Sequence, residues 1–155
     1  MITKITAPKE LDTPGISVFL AGGISNCPDW QSECITMIQK YNFQKDIVLY
    51  NPRRLNFVFS LENSEIQIQW EFQHLKKADV IIFWFSEGSL NPIVLYELGM
   101  WGNSRDKQII IGVHPRYERK EDVIIQTKLA RPDIEIAYTL DEVVKNLFIM
   151  EEFLN

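Results

Sequence analysis

Two glutamates, Glu97 and Glu71, are the side chains whose surroundings in the sequence suggest chemistry. Glu97 lies in segment 91–101, which is apolar all round, with Ile93 and Trp101 one turn away on either side. A carboxylate in such a segment is costly unless it is paired, hydrogen-bonded or there to react. The alternative is a glutamate that simply interacts well with the positive end of a helix dipole. Position alone does not decide between these readings.

Glu71 is the second candidate for a reacting acid. It lies at the edge of the apolar stripe of a predicted helix over 64–77, and His74 is close enough along that helix to pair with it. The more common outcome for such a residue is a solvated acid at the boundary of the core. Two carboxyl groups in unlike environments are, however, what glycosidic cleavage requires. One attacks the anomeric carbon and the other handles the leaving group.

Three further segments carry groups suited to binding a ligand. Gly22 and Gly23 follow an apolar run and would let the backbone approach a ligand closely, although Gly-Gly is also common in tight turns. Their spacing is that of neither a dinucleotide-binding motif nor a P-loop. Asn51 and Arg53 belong to an Asn-Pro-Arg-Arg run, whose arginines suit a phosphate, a carboxylate or a surface ion pair. Asn91 stands directly before a proline, which predicts the start of a helix.

Five short apolar runs predict the strands that position these residues. They cover 16–21, 47–50, 79–85, 108–113 and 134–138. The third and fourth are apolar throughout, which is typical of strands covered on both faces. Helical segments are predicted over 29–41, 64–77, 91–101 and 118–130, and again from 139. The second opens with a capping box, Ser64-x-x-Gln67, and the last with Thr139-x-x-Glu142.

This alternation predicts a doubly wound α/β fold with a five-stranded parallel sheet. The commonest arrangement at this length is flavodoxin-like, with the strand order 2-1-3-4-5. Strands 1 and 3 are then neighbours, and a ligand crevice is expected where segments 21–30 and 86–92 leave their C-terminal ends. The connection 53–63 contains Phe57 and Phe59 and could fold over the site.

Composition limits the partners of the chain. Its 155 residues are 46% hydrophobic and 24% charged, so we expect one domain over 1–155, with 1–14 as an N-terminal extension. A net charge of −5 provides no basic surface for a polynucleotide, and no apolar run is long enough to cross a membrane. The two cysteines lack paired spacing, which argues against a disulfide framework or a zinc site. The N-terminus is not typical of a targeting signal, so we expect a cytoplasmic protein with a small-molecule ligand.

Taken together, the motifs resemble the nucleoside 2-deoxyribosyltransferase superfamily, in particular its nucleoside 2-deoxyribosyltransferase-like branch. They are VFLAGGI (18–24), Asp29-Trp30-Gln31, NPRR (51–54), IQIQWE (66–71), ADVIIFWF (78–85) and NPIVLYELG (91–99). Each motif is modest alone, but their order and spacing along nearly the whole chain are specific.

The resemblance implies a flavodoxin-like fold and assigns roles to individual residues. Glu97 falls on the nucleophile of the Tyr-Glu-Leu-Gly signature. Glu71, eight residues before Asp79, falls on the acid that helps to hold or protonate the base. The resemblance also places substrate binding at Gly22, Gly23, Asp29, Asn51, Arg53 and Asn91.

Two positions depart from the pattern of the family. Phe19 stands where transferases often carry an aromatic hydroxyl. Asn91 stands six positions before the nucleophile, where transferases tend to have Asp and related nucleotide hydrolases have Ser. Asn91 therefore does not distinguish the two reactions.

The predicted reaction is a double displacement at the anomeric carbon of a nucleoside or nucleotide. Glu97 attacks C1′ while Glu71 assists departure of the base, and a second base then takes the sugar from the glycosyl ester. With water as the acceptor the chain would be a hydrolase. A non-catalytic nucleotide sensor on the same fold is the competing class. The reaction needs no metal and no organic cofactor.

A homo-oligomer is expected for two reasons. Members of the superfamily commonly build the pocket across a subunit contact. The predicted C-terminal helix also carries more apolar surface than one sheet face readily covers, namely Leu147, Phe148, Met150, Phe153 and Leu154. The alternative is ordinary packing of these side chains on the sheet.

Overall fold

Strands that are apolar on both faces form the centre of the sheet in the computed structural model, which describes residues 1–154. The six strands are β1 (Ile2–Thr6), β2 (Ile16–Gly22), β3 (Ile47–Asn51), β4 (Val80–Phe85), β5 (Gln108–Val113) and β6 (Ile136–Ala137). They pair in parallel in the order β1-β3-β2-β4-β5-β6. The central pair, β2 and β4, aligns Val18 with Val80 and Gly22 with Trp84, so both strands end at the same edge.

Helices cover both faces of this sheet. They are α1 (Trp30–Ile38), α2 (Leu61–Lys77), α3 (Pro92–Trp101), α4 (Lys120–Ala130) and α5 (Leu140–Met150), followed by a 3-10 turn over Glu151–Phe153. Alternate strand residues point into two separate cores. Phe19 and Phe83 pack with α2, α3 and α4, whereas Leu20 and Ile82 pack with α1 and α5. No helix within residues 1–154 has the length and apolar character needed to cross a membrane.

The predicted strand count was too low, because the N-terminal segment contributes β1 to the edge of the sheet. The other five strands keep the predicted relative order, and β1 adds to the outer side of β3 from Ile2 opposite Ile47 to Thr6 opposite Asn51. Among the residues of β1 only Ile5 is buried, so this strand has no apolar run like those of the central strands.

Two helix starts were predicted from capping boxes, and one of them is correct. Thr139 caps α5 by accepting a hydrogen bond from the backbone N–H of Glu142. Helix α2 begins one turn earlier than predicted, because Ser60 rather than Ser64 is its cap and accepts from the N–H of Asn63 at 3.0 Å. Several residues near this start could cap a helix, and their side chains do not identify the first one.

The C-terminal helix does not present the apolar surface that was expected of it. Leu147 is buried, and Met150 and Leu154 pack against the core beneath α5. The Phe148 ring lies 5.1 Å from that of Tyr41 and 5.3 Å from that of Phe43. Of the five side chains only Phe153 is largely exposed, at 78%. Ordinary packing within the chain therefore accounts for most of the apolar side chains of this helix.

Candidate active site

A cleft of about 250 Å³ lies beyond the C-terminal ends of β2 and β4. The chain leaves β2 toward α1 on one face of the sheet and leaves β4 toward α3 on the other. The connections therefore diverge and open a crevice between them. The cleft is lined by Phe19, Ala21, Gly22, Gly23, Ile24, Ser25, Pro52, Glu71, Ser89, Asn91, Pro92, Ile93, Val94 and Glu97. Both glutamates singled out in the sequence thus face one space.

Glu97 reaches the cleft from the second turn of α3. The helix begins at Pro92, whose missing N–H costs nothing at a helix start. Burial among apolar neighbours and, to a lesser extent, the nearby charge of Glu71 raise the pKa of Glu97 to about 8. The carboxyl group therefore keeps its proton at a pH where an exposed glutamate has lost it.

Glu71 reaches the cleft from α2, and a neighbour on that helix holds it. Nε2 of Gln67 donates to Oε1 of Glu71 at 2.7 Å and also to the carbonyl of Pro52 at 2.8 Å. Burial raises the pKa of Glu71, and the hydrogen bond from Gln67 partly offsets the rise. The suggested partner, His74, lies elsewhere. It is buried, its Nδ1 donates to the Trp70 carbonyl at 2.8 Å, and its ring stacks on Trp70.

The floor of the cleft is the glycine turn after β2. A Cβ on Gly22 would stand 2.3 Å from Cζ2 of Trp30, so only glycine lets that indole pack beneath the turn. The carbonyl of Gly23 accepts hydrogen bonds from Nε1 of Trp30 and Nε2 of Gln31, both at 3.2 Å. The turn is thus fastened to the start of α1.

One known protein family matches this part of the chain. The sequence model of a family described as nucleoside 2-deoxyribosyltransferase like matches residues 15–117. This span is about two thirds of the chain and contains the whole lining of the cleft. The chain belongs to the nucleoside 2-deoxyribosyltransferase-like family. No curated protein matches it.

Membership of the nucleoside 2-deoxyribosyltransferase-like family indicates a transferase-like enzyme that acts on the sugar of small-molecule nucleosides. The matched residues run from the start of β2 to Tyr117, beyond the end of β5. They include Glu71 and Glu97. The family therefore supports the predicted fold class and the general kind of reaction.

Three residues predicted to bind substrate have hydrogen-bond or ion-pair partners within the protein. Nε of Arg53 donates to Oε1 of Gln31 at 2.9 Å, and its Nη2 donates to the Pro28 carbonyl at 3.0 Å. Asp29 pairs with the same guanidinium at 3.1 Å and caps α1. Oδ1 of Asn51 accepts from the backbone N–H of Arg53 at 3.0 Å. In this nucleoside 2-deoxyribosyltransferase-like chain Arg53 and Asp29 hold the loop after β2, and Asn51 holds the turn after β3. None of the three lines the cleft.

Asn91 lines the cleft and is the residue before α3. Its backbone is left-handed, with φ of 51°, a conformation that asparagine tolerates better than most residues. Its side chain does not cap the helix. Nδ2 donates to the Ser89 carbonyl at 3.3 Å, and the buried Oδ1 has no hydrogen-bond partner within residues 1–154. A Cβ on Gly23 would stand 2.1 Å from this oxygen, so Asn91 packs directly against the glycine turn.

Sequence reasoning missed the residues that hold the site together. Gln67 lies four residues before Glu71, a spacing that places the two side chains together on a helix and could have identified it. Gln31 is fully buried and links Gly23 to Arg53, which no local pattern predicts. The expected cover over the site is not formed, since Phe57 and Phe59 contact each other and neither lines the cleft.

A larger groove of about 610 Å³ separates α3 from α4, but it holds neither of the two candidate acids. Its floor is apolar, with Leu98, Ile111 and Val123 among the lining residues. Arg119 at its rim pairs with Asp122 of the same rim at 2.8 Å. Neither glutamate of the cleft reaches this groove, so the chemistry is assigned to the smaller cleft.

Proposed function

We propose that this chain cleaves the N-glycosidic bond of a nucleoside or nucleotide and transfers the sugar to another base. Glu97 attacks C1′, the bond from C1′ to the base nitrogen breaks, and Glu71 protonates the departing base. The product is a glycosyl ester on Glu97. A second base then attacks C1′, releases the carboxylate of Glu97 and returns a proton to Glu71.

The observation that carries this proposal is the pairing of two partly buried carboxyl groups of unlike environment in one cleft. Like charges in a shared site resist ionising together, so one proton is retained by the pair over a range of pH. The raised pKa of Glu97 keeps the shared proton on that residue at rest, so attack requires that the proton move to Glu71 and leave the charge on Glu97. Oε1 of Glu71 is occupied by the hydrogen bond from Gln67, which leaves Oε2 to hold and release the proton.

A second outcome, hydrolysis, is favoured by the openness of the cleft in a single chain. Ile93 lines the cleft and is 64% exposed, and the loop containing Phe59 lies away from it. Water that reaches the glycosyl ester would take the sugar in place of a base. Transfer therefore requires that something exclude water from the cleft.

We propose that a second copy of the chain provides this cover. Large apolar side chains remain exposed on α2, on α3 and in the loop before α2, including Phe59, Leu61, Ile68, Phe72, Ile93 and Tyr96. Glu71 and Glu97 lie on these same two helices, so a contact there would border the cleft. The ring of Phe72 lies 5.9 Å from that of Trp101, which joins α2 and α3 into one surface. Exposed apolar patches of this kind are typical of protein interfaces.

The cytoplasm remains the proposed location of the protein. Its two cysteines, Cys27 and Cys34, are both unpaired, which suits a reducing compartment. Burial also raises the pKa of the Cys34 thiol to about 12, so this thiol is protected from oxidation at neutral pH.

The test is incubation of the protein with a panel of nucleosides and nucleotides, with and without a free acceptor base, followed by chromatography. Exchange of the base identifies a transferase, and release of free sugar identifies a hydrolase. Binding of a panel member by calorimetry without turnover would indicate the non-catalytic sensor. Glu65→Gln, which changes an exposed acid of α2, is the control for the loss of a carboxylate away from the cleft.

A further inference from the structure

The two thiols of the chain lie in opposite environments. Cys34 belongs to α1 and is fully buried. Cys27 lies in the loop between β2 and α1, is partly exposed and forms no disulfide. Oxidants react with thiols that they can reach, so Cys27 is the thiol that is open to a dissolved oxidant in the folded protein.

An arginine is held beside the sulfur of Cys27. Nη2 of Arg53 donates to Sγ of Cys27 at 3.7 Å, and the same nitrogen donates to the carbonyls of Gly23 at 3.3 Å and Pro28 at 3.0 Å. The two carbonyls keep the guanidinium in place, so its positive charge stays next to the sulfur. A partly exposed cysteine beside a cation is the setting in which thiols are oxidised.

The sulfur of Cys27 also borders the floor of the cleft. A Cβ on Gly23 would stand 2.9 Å from this sulfur and 2.1 Å from Oδ1 of Asn91, so the two atoms pack over the same backbone position. Gly23 and Asn91 both line the cleft, as do Ile24 and Ser25 of the loop that leads to Cys27. A group added to the sulfur therefore enters the space beside the lining of the cleft.

Asn91 supplies a hydrogen-bond acceptor next to this sulfur. The residue is only 3% exposed, and its Oδ1 has no hydrogen-bond partner within residues 1–154. A buried carbonyl oxygen without a partner costs free energy, and a donor that reaches it recovers that cost. A thiol is a weak donor, whereas the O–H of a sulfenic acid is a hydroxyl donor.

We propose that Cys27 is a site of oxidation by peroxides, and that its sulfenic acid donates a hydrogen bond to Oδ1 of Asn91. Sγ attacks the terminal oxygen of the peroxide and the O–O bond breaks. The other oxygen leaves with the thiol proton as water or an alcohol, so sulfur is oxidised and the peroxide is reduced. The added oxygen lies beside Gly23 and occupies the acceptor of Asn91, which weakens ligand binding in the cleft.

The oxidation is reversed by a small-molecule thiol. One molecule of this thiol displaces the new oxygen as water and forms a mixed disulfide, and a second releases the thiol of Cys27. Cys34 does not take this role, because it is buried in α1. The oxidation of Cys27 is independent of the proposed function, whereas its effect on turnover rests on that function.

Mass spectrometry of the folded protein tests the oxidation. Brief treatment with hydrogen peroxide in the presence of dimedone, which traps sulfenic acids, should label Cys27 and leave Cys34 unlabelled. Cys34→Ser should keep the label and Cys27→Ser should lose it, and unfolding in urea should bring the two cysteines of the wild type to the same rate. Equal labelling of both cysteines in the folded protein, or none at Cys27, would overturn the inference.

The hydrogen bond to Asn91 is tested with Asn91→Gly. Glycine keeps the left-handed backbone of this position and removes the acceptor, so we expect the sulfenic acid to be oxidised further to the sulfinic acid several-fold faster. Asn56→Gly is the matched control, since Asn56 is also left-handed, with φ of 57°, and is exposed outside the cleft. The same lifetime of the sulfenic acid in both variants would contradict the hydrogen bond.

Turnover before and after peroxide tests the effect on the cleft, with calorimetry in place of turnover for a compound that binds without reacting. Wild type and Cys34→Ser should lose activity or affinity several-fold and regain it with dithiothreitol, whereas Cys27→Ser should be unaffected. A loss that persists in Cys27→Ser, or fully labelled wild type with unchanged activity, would overturn this effect. If no compound binds or reacts, the proposed function fails while the dimedone label still decides the oxidation.

Discussion

Gln67 and Glu71 are joined by a hydrogen bond of 2.7 Å within one turn of α2. The same amide nitrogen of Gln67 reaches the carbonyl of Pro52, which lies in the loop after β3. One side chain thus fixes the rotamer of the proposed acid and ties its helix to the rim of the cleft. This hydrogen bond explains why the side chain of Glu71 points into the cleft although the residue lies at the edge of the apolar stripe of α2.

Removal of the proposed nucleophile should abolish turnover. We expect Glu97→Gln to reduce single-turnover base release by about a thousand-fold or more, because the acid supplies the covalent step and not only binding. Circular dichroism should show an unchanged fold. Glu65→Gln on α2 should retain wild-type rates, and wild-type rates in Glu97→Gln would remove Glu97 from the mechanism.

The loss of rate on removal of Glu71 should be larger when the departing base has a greater need for a proton. We expect Glu71→Gln to slow substrates with poor leaving groups, such as adenine or cytosine nucleosides, by roughly 10²–10⁴-fold. A nucleoside analogue with an activated leaving group should be much less affected. Equal losses on both substrates in single-turnover measurements would make Glu71 a binding or structural residue.

The pH dependence of the free energy of unfolding should report the protonation of Glu97 independently of activity. The native pKa of about 8 lies above the ordinary value of 4.5, so between these pH values the native state holds a proton that the unfolded chain has lost. Stability therefore falls as pH rises through this window. One unit of pKa difference corresponds to about 1.4 kcal/mol. The free energy of unfolding of Glu97→Gln relative to wild type should therefore be higher at pH 9 than at pH 4 by roughly 2–4 kcal/mol. Urea unfolding at both pH values measures this free energy, and the same relative value at pH 4 and pH 9 would contradict the raised pKa.

The glycine turn should not accept a side chain at Gly22. A Cβ there would overlap the indole of Trp30, so we expect Gly22→Ala to destabilise the protein by about 1–3 kcal/mol and to lower activity. Gly99 is the matched control, because a Cβ on it meets nothing within 4 Å and it lies inside α3. Gly99→Ala should be stabilising by roughly 0.5–1 kcal/mol in thermal unfolding. Wild-type stability and activity in Gly22→Ala would show that the turn can move away from Trp30.

The proposed contact between copies should involve α2. Ile68 is 64% exposed on this helix, and we expect Ile68→Lys to shift the protein toward monomer in light scattering at micromolar concentration. Ile125 on α4 is 54% exposed and provides the control, since Ile125→Lys should leave the assembly unchanged. A wild-type protein that is already monomeric would exclude this contact.

Patterns local in sequence were the ones that predicted structure correctly. The continuous apolar character of residues 79–85 and 108–113 identified β4 and β5, and the alternation of strands and helices predicted the position of the cleft. Strand β1 was missed because its stabilisation comes from pairing with β3, 45 residues away (Ile2 opposite Ile47), and not from an apolar run of its own. An edge strand of this kind has no strong local signal.

The sequence by itself determined the α/β class and the family resemblance and singled out the two acids that line the cleft, because hydrophobic periodicity and motif spacing are properties of neighbouring residues. Only the tertiary structure decided what each polar side chain contacts. Arg53 turns toward Gly23, thirty residues earlier, and His74 turns toward Trp70 and away from Glu71. A buried donor is satisfied by whichever acceptor the packing brings within reach, and that choice depends on segments that meet only in the folded chain.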